Sequence, residues 1–566
     1  MTKFLPVGIQ NFKKMITGDF LYVDKTRYIY EMIRPPQGFY FLARPRRFGK
    51  SLLVSTLSCL FEGQRDLFKN LWIDQARREW KKYPVVKIDF SRISMTSPEK
   101  LEQSLLARIV QLSEAHGIRN SGRLLPDCFA TFLTQLAEKY DESVVILADE
   151  YDKPLIEHLG KGKTHLSIAK ENRDILKQFF GVLKAEDVSA VLRFVFITGI
   201  SRFARVSIFS DLNNLNDISM QEKYDGIMGY TEAELLCCFE SNINQLSEKL
   251  NLGKEEVIRK IRDWYDGYRF TNSETSVYNP FSVIKLFDAD KFDNYWFETA
   301  TPSFLINLIK EQDYPVADIE NLALSKERFS VYELDDLELE PLLFQTGYIT
   351  IRHYDDILYH LGYPNREVKT SFLSYLYNRL VRLKDRRLRD TYRRLHVCLN
   401  EERTEDFVNA VKSILASIPY VQIANQGEDY YHTVFYLMLS ASGISAHTEV
   451  LTSHGRADIA VEFDDKVYII ELKCNRSAKQ AIRQILKKKY YEKYLEDGRR
   501  IWLMGINFDT AKRTISDWQC GSLDDYLPST GSGAGPWTGL QTPSGSLSLM
   551  HMGRPLSLPK GHSIFM

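Results

Sequence analysis

"GFYFLARPRRFGKSLL" occupies residues 38–53: an apolar run, a basic turn containing glycine, and the start of a second apolar stretch. The strand-like "FYFLA" (39–43) precedes "RPRRFGKS" (44–51), and the helix-like "SLLVSTLSCLF" (51–61) follows it. A loop between a strand and a helix N-terminus aims backbone N–H groups at phosphate, while a lysine neutralises charge and a hydroxyl ligates magnesium. Gly49, Lys50 and Ser51 match that end of a phosphate-binding loop. Arg44 stands where such a loop usually begins with glycine, and Pro45 follows it, which makes the loop stiffer and more cationic. A basic strand-to-helix turn that happens to contain Gly-Lys-Ser is the competing reading.

Further strands follow outward from this point. "VVKIDFS" (85–91), "SVVILADE" (143–150) and "RFVFITGIS" (193–201) alternate with amphipathic stretches such as "PEKLEQSLLARIVQLSEAHG" and "KENRDILKQFFGVLKAE". Alternation of this kind predicts βαβ units and a doubly wound α/β domain with a parallel sheet. "VVILADE" reads as a buried parallel strand that delivers carboxylates at its C-terminal end. Asp149 is expected to hold magnesium through water, and Glu150 to polarise the attacking water. The fourth strand ends in Thr198, Ser201 and Arg202; a polar residue here would sense the γ-phosphate and Arg202 would stabilise its charge, or the arginine is an ordinary surface residue of a turn.

The chain has 566 residues, 44% of them apolar and 26% charged, which is enough for a large core and about three or four domains. Lysine plus arginine equals aspartate plus glutamate at 74 each, so any basic surface is regional. Seven scattered cysteines without paired spacing predict reduced thiols rather than zinc sites or a disulfide framework. No apolar run reaches the roughly 18 residues needed to span a bilayer, and a cytoplasmic protein without membrane attachment is expected. The expected divisions are an ATPase-type domain over 1–230, a helical lid and connector over 231–400, a compact α+β unit over 401–520, and a Gly/Ser/Pro-rich disordered tail over 521–566.

A second constellation lies in "GRADIAVEFDDKVYIIELK" (455–473). If Asp464 and Asp465 form a two-residue turn, Asp458 falls opposite Glu471 and Arg456 opposite Lys473, all on one face. Ile459, Val461, Phe463, Tyr468 and Ile470 then occupy the other face and pack. Two acids and a lysine together suit metal-dependent hydrolysis, although a solvated strand edge with a salt bridge has the same residues. Downstream, a helix over about 477–495 carries Arg483, Lys487 and Lys488 with Gln484 and Tyr490 among them, a mixture suited to phosphate neutralisation and base stacking, or to a solvated helix face.

"YVDKTRYI" (22–29), "RPRRFGKSLL" (44–53), "ADEYDKPL" (148–155), "FITGISRFARVSIFSDLNNLNDIS" (196–219), "WYDGYRF" (264–270), "VYNPFSV" (277–283) and "LLFQTGYIT" (342–350) occur in this order. Together they resemble the bacterial AAA-ATPase-like family that carries a C-terminal PD-(D/E)XK nuclease-superfamily domain, over about residues 4–515. The resemblance implies an additional-strand P-loop ATPase joined through a helical lid and connector to a restriction-endonuclease-like α+β module. ATP and Mg2+ are the implied cofactors, and the arginine at 44 is a trait of the family. Arg44 and Arg47 either touch nucleotide or hold the loop.

Asp458, Glu471 and Lys473 stand at the positions of the PD-(D/E)XK core, and Gln484 and Tyr490 resemble a further glutamine–tyrosine motif at approximate spacing. The resemblance adds Glu428 as a further acid, whereas its spacing from Asn425 also fits a capping box. His432, one turn along, reaches phosphate or packs in the core. The readings that follow are an ATP-dependent enzyme that cleaves nucleic acid, DNA first, and a nucleotide-switched binding or signalling protein whose nuclease-like module does not cleave. A homo-oligomer is left open.

Overall fold

The computed structural model describes residues 3–527 except 77–78, 121, 203–207, 210–211, 301–302, 312–313, 315–318, 321, 327, 331–333, 335–337, 382–386, 418–427 and 453–454. The expected tail disorder falls mainly on 528–566, outside the described residues.

The four expected N-terminal strands are β1 (Gly38–Ala43), β2 (Val85–Asp89), β3 (Val144–Asp149) and β4 (Leu192–Gly199), joined by the short β5 (Asn216–Asp217). Their order is β2-β3-β4-β1-β5 and every pairing is parallel. Every residue of β1 and β3 is buried, the consequence of helices covering both faces, and this is why these strands are continuous apolar runs. β4 lies between the strand that feeds the phosphate loop and the strand that ends in Asp149, which is the additional-strand arrangement.

The connector is mostly helical. Helices Glu232–Cys238, Glu240–Leu250, Lys254–Tyr265 and Pro280–Ala289 share an apolar cluster of their own that includes Phe239, Leu246, Ile261 and Val283. A small antiparallel sheet follows, with β6 (Leu322–Ser325), β7 (Thr350–Tyr354) and β8 (Leu358–Gly362) in the order β6-β8-β7.

The C-terminal sheet contains β9 (Ala446–Thr452), β10 (Gly455–Glu462), β11 (Lys466–Cys474), β12 (Arg500–Asp509) and β13 (Thr514–Ser522). Its order is β13-β12-β11-β10-β9, with β11 and β12 parallel and the other pairs antiparallel. The helix expected over 477–495 is broken: an α-helix spans Ala478–Lys487, Lys489 turns left-handed at φ +48°, and a 3₁₀ segment spans Tyr490–Asp497. The break rolls Tyr490, Tyr491 and Tyr494 into the core, so the tyrosines bury apolar surface there. All seven cysteines are free, and among the described residues no helix is long and apolar enough to cross a membrane.

The connector holds the phosphate loop from outside the sheet. The Trp296 indole N–H donates to Arg46 O at 3.0 Å, and its backbone N–H donates to the Glu367 carboxyl at 2.7 Å. Gly347, at φ +88°, lies where an added Cβ would sit 2.8 Å from the Pro45 ring, so glycine is needed for both backbone and clearance. Gly347→Ala should lower stability by about 1–3 kcal/mol in chemical denaturation.

Glu367 is fully buried, and that burial pushes its carboxyl up to about 7. The folded chain therefore binds this proton more tightly than the unfolded chain. Its contribution is fully present below the unfolded value of about 4.5 and is lost as pH rises through about 7. Glu367→Gln should flatten the pH dependence of stability by about 1–3 kcal/mol across that window, read from denaturation midpoints at pH 5 to 8.

Candidate functional site

The loop 44–49 leaves β1 and enters the helix Lys50–Phe61 through Gly49 at φ +94°, a conformation that only glycine adopts without strain. Arg46, Arg47, Gly49, Lys50, Ser51, Glu150, Asp152 and Lys153 line a cavity of about 480 Å³. Lys50 is folded back on the loop, donating to Arg44 O at 2.9 Å and Pro45 O at 2.8 Å. Burial lowers its pKa to about 8, with the nearby Asp149 charge acting in the opposite direction.

Asp149 sits behind Ser51, which hydrogen-bonds its carboxylate; burial pushes its pKa up, and among the described residues its Oδ1 has no hydrogen-bond partner. A buried carboxylate oxygen short of a partner beside a serine hydroxyl is a donor set that suits Mg2+. Glu150 adopts a positive φ of 55° and keeps its side chain 41% exposed at the cavity, 3.5 Å from Lys153. Strain of this kind in a non-glycine residue concentrates at functional positions.

Three expected nucleotide contacts lie elsewhere. The Arg44 guanidinium is 1% exposed, donates to Ala43 O at 2.9 Å and Ser219 O at 2.7 Å, and stacks 4.2 Å over Phe270. It holds the loop, because its short path to those carbonyls runs inward, away from the cavity wall. Thr198 is fully buried and donates to Leu42 O at 2.6 Å, locking β4 to β1. Arg202 pairs with Asp217 at 2.8 Å.

Asp152 is a residue that sequence reasoning missed. Its Oδ2 accepts from Ile200 N, Ser201 N and Ser201 Oγ at 2.9, 2.7 and 2.7 Å, joining the ends of β3 and β4 on the cavity wall. "ADEYDKPL" contained it, but an acid three residues past a strand gives no periodic signal.

In the C-terminal sheet the predicted hairpin spacing is the observed one. Ile459 lies opposite Ile470 and Glu462 opposite Val467, and Phe463 N donates to Lys466 O across the Asp464–Asp465 turn at 2.8 Å. The ladder runs over Ile459–Glu462, so neither the expected Asp458–Glu471 pairing nor the expected Arg456–Lys473 pairing is among its pairs; Arg456 pairs with Leu451 of β9. Beyond the ladder the Asp458 carboxylate accepts from Leu472 N at 2.8 Å, and Lys473 Nζ donates to Glu471 Oε1 at 2.8 Å.

Glu471 is fully buried, and among the described residues its Oε2 has no hydrogen-bond partner. Burial pushes its carboxyl up, the neighbouring Asp458 charge adds to that, and Lys473 opposes it. Burial and the like charge of Asp458 thus act together against the ionised Glu471 carboxyl, and Lys473 offsets part of that cost.

β11 is buried along nearly its whole length, so Glu471 and Lys473 do not lie on an open sheet face. Glu471 shares its face with Gly505 of β12, where an added Cβ would lie 2.5 Å from Ala478 O of the helix Ala478–Lys487. Gln484 of that helix donates to Tyr490 Oη at 3.4 Å, and the Asp458, Glu471 and Lys473 charges all act on the Tyr490 hydroxyl. Tyr490 is thus a buried neighbour of the acids, with no face open for base stacking.

Arg483, Lys487 and Lys488 are exposed on the same helix and its cap. His432, from the helix Glu428–Ala441, places Nε2 3.7 Å from Asp458 Oδ2. Glu428 begins that helix, and its side chain and Asn425 lie outside the described residues.

Adding Mg2+ without nucleotide should raise the melting temperature of the wild-type chain. Saturation to 100 times Kd corresponds to about 2.7 kcal/mol. Glu471→Gln should lose most of this increment in a parallel calorimetric scan.

Comparison with known proteins agrees with this division. The model of a predicted AAA-ATPase matches residues 6–209, and that of the PD-(D/E)XK nuclease superfamily matches residues 426–518. An uncharacterized protein in the vnfD 5′ region of Azotobacter chroococcum mcd 1 is 36% identical over 534 residues, covering 92% of this chain and 99% of that protein. With a phosphate loop on an additional-strand parallel sheet, a carboxylate–lysine hairpin in a separate mixed sheet, and a relative that matches along nearly its whole length, the chain belongs to the predicted AAA-ATPase family that carries a PD-(D/E)XK nuclease-superfamily domain.

Proposed function

We propose that the chain binds and hydrolyses ATP in its N-terminal domain and cleaves phosphodiester bonds of nucleic acid, DNA first, in its C-terminal domain, with Mg2+ at both sites and in the cytoplasm. The expected limits at residues 230, 400 and 520 serve as the functional boundaries. The observation that carries the reading is the unpartnered Glu471 Oε2, fully buried beside Asp458 and Lys473. A buried acceptor of this kind beside a second carboxylate and a lysine supports that reading.

At the first site, phosphate oxygens replace Arg44 O and Pro45 O as acceptors for Lys50. Arg47 and the N–H groups of the loop add positive potential. Ser51 and Asp149 hold the cation, and Glu150 orients water at the mouth of the cavity. An adjoining, largely apolar cavity of about 140 Å³ shares Gln10, Arg47, Gly49 and Leu52 with the phosphate cavity and is walled by Tyr22, Tyr230 and Phe281; it takes the base.

At the second site, Asp458, Glu471 and the acid Glu428 hold the cation, which when bound supplies charge neutralisation for phosphodiester hydrolysis. Lys473 positions water against the scissile phosphate. His432 and the Gln484–Tyr490 pair orient the acids, and Arg483, Lys487 and Lys488 neutralise backbone phosphates.

A second reading, a nucleotide-switched protein whose nuclease-like module grips nucleic acid without cutting it, is favoured by one observation. Among the described residues no group of three or more His, Cys, Asp or Glu is arranged to hold a metal. Incubating linear and circular DNA with wild type, Asp458→Ala and Lys50→Ala, with Mg2+ and with or without ATP, separates the two. Cleavage should fall at least about a hundredfold in Asp458→Ala while ATPase persists, and ATPase should fall by a similar factor in Lys50→Ala. Intact DNA despite measurable binding by the wild type would leave the second reading standing.

A further inference from the structure

The cavity beside the phosphate loop draws its charged groups from two sources. Arg46, Arg47 and Lys50 belong to the loop and the start of its helix, whereas Glu150, Asp152 and Lys153 belong to the turn that follows β3. Arg202, expected to meet the γ-phosphate, is paired with Asp217, and Thr198 is locked to Leu42 O. Among the described residues that line the cavity, this leaves Lys153 as the one cation contributed from outside the loop and its helix.

The backbone that carries Lys153 is fixed. Lys153 N donates to Glu150 O at 3.0 Å, closing the turn that Glu150 opens at φ +55°. On one side Asp152 accepts from Ile200 N, Ser201 N and Ser201 Oγ, and on the other Pro154, Leu155 and Ile156 are buried. The side chain is held far less firmly. It is 38% exposed, and its ammonium lies 3.5 Å from the Glu150 carboxylate, itself 41% exposed. An exposed pair at that distance contributes little and exchanges readily. The Glu150 charge also acts on Lys50, so the three groups share one electrostatic neighbourhood. A flexible stem on a rigid base can carry a compact charge from one partner to another without moving the fold.

We propose that Lys153 is a further catalytic residue of the ATPase site: when ATP is bound, its ammonium leaves Glu150 for the outer oxygens of the γ-phosphate, stabilises charge on the transferred phosphoryl group, and frees Glu150 to orient water. The proposal rests on the reading that this cavity hydrolyses ATP. In that step the water oxygen bonds to the γ-phosphorus while the bond from phosphorus to the β–γ bridging oxygen breaks, its electron pair staying with ADP. One water proton remains on the phosphate and the other passes by way of Glu150 to solvent; Lys153 keeps its protons and acts by charge alone. Transition-state charge in phosphoryl transfer is spread over the three equatorial oxygens, and a phosphate loop cradles the group from its own side, so a cation from the β3 turn meets charge that the loop leaves uncovered.

Lys153→Met, made in the full chain, keeps the stem and removes the charge at a partly exposed position; Lys153→Gln takes its place should that variant not fold. The substitution should lower the kcat of ATP hydrolysis about a hundredfold and leave ADP binding, read by calorimetry, within about twofold of wild type. Wild type should bind ADP with Mg2+ and aluminium fluoride, a mimic of the transferring phosphoryl group, at least about tenfold tighter than ADP alone. Lys153→Met should lose that preference, and Lys153→Arg should regain most of it. A lysine that only props the turn would affect ADP binding as well and leave the preference in place. An active wild type whose Lys153→Met variant keeps both kcat and the preference would overturn this assignment and leave the ATPase reading standing. A wild type that neither hydrolyses ATP nor prefers the mimic would overturn both.

Discussion

A guanidinium buried beneath the phosphate loop decides where the loop's other charges point. Arg44 stacks on Phe270 and donates to Ala43 O and Ser219 O, which ties the end of β1 to the segment after β5 and to the connector. Burial lowers its pKa to about 10, which still leaves it charged near neutral pH. A buried charge is costly without partners, and here carbonyls and an aromatic face meet part of that need. With Arg44 turned inward, Arg46, Arg47 and Lys50 are left along the cavity. The residue that makes the motif unusual as a pattern is therefore the one that anchors the loop as a structure.

The C-terminal site rests on the opposite device, two like charges brought together. Beyond the ladder of the hairpin the Asp458 charge acts on Glu471, and the helix Ala478–Lys487 packs over Gly505 beside it. Between the two sites runs a continuous series of packed groups. Arg46 O accepts from Trp296, Trp296 N donates to Glu367, and the helix Arg366–Val381 that carries Glu367 in its first turn lies against the helix Glu428–Ala441, which carries His432. Ser282 also donates to Glu367 at 2.7 Å, so one buried carboxyl gathers three segments of the connector.

Much of this was legible in one dimension. Continuous apolar strands ending in Arg44 and in Asp149–Glu150 announce a parallel sheet covered on both faces, because only such strands exclude polar residues on both sides. The hairpin spacing was readable because a two-residue turn leaves no freedom of register. The misplaced expectations share a cause. Thr198, Arg202 and Tyr490 stand where position along the chain predicts a ligand contact, but each side chain is captured by a partner from elsewhere: Leu42 O, Asp217, and Gln484 beside the acids. The break at Lys489 likewise depends on tyrosines finding a core that the helix alone does not contain.

Local order by itself determined the phosphate loop, the strand–helix alternation and the carboxylate hairpin, since each depends on residues within about 20 positions of one another and on backbone rules that hold anywhere. Tertiary structure alone decided which of the candidate charges face a cavity, which are buried as anchors, and how Trp296, Gly347 and Glu367 hold the loop. Those outcomes turn on competition among partners distant in sequence for each polar group, and burial settles that competition only once the whole core has formed.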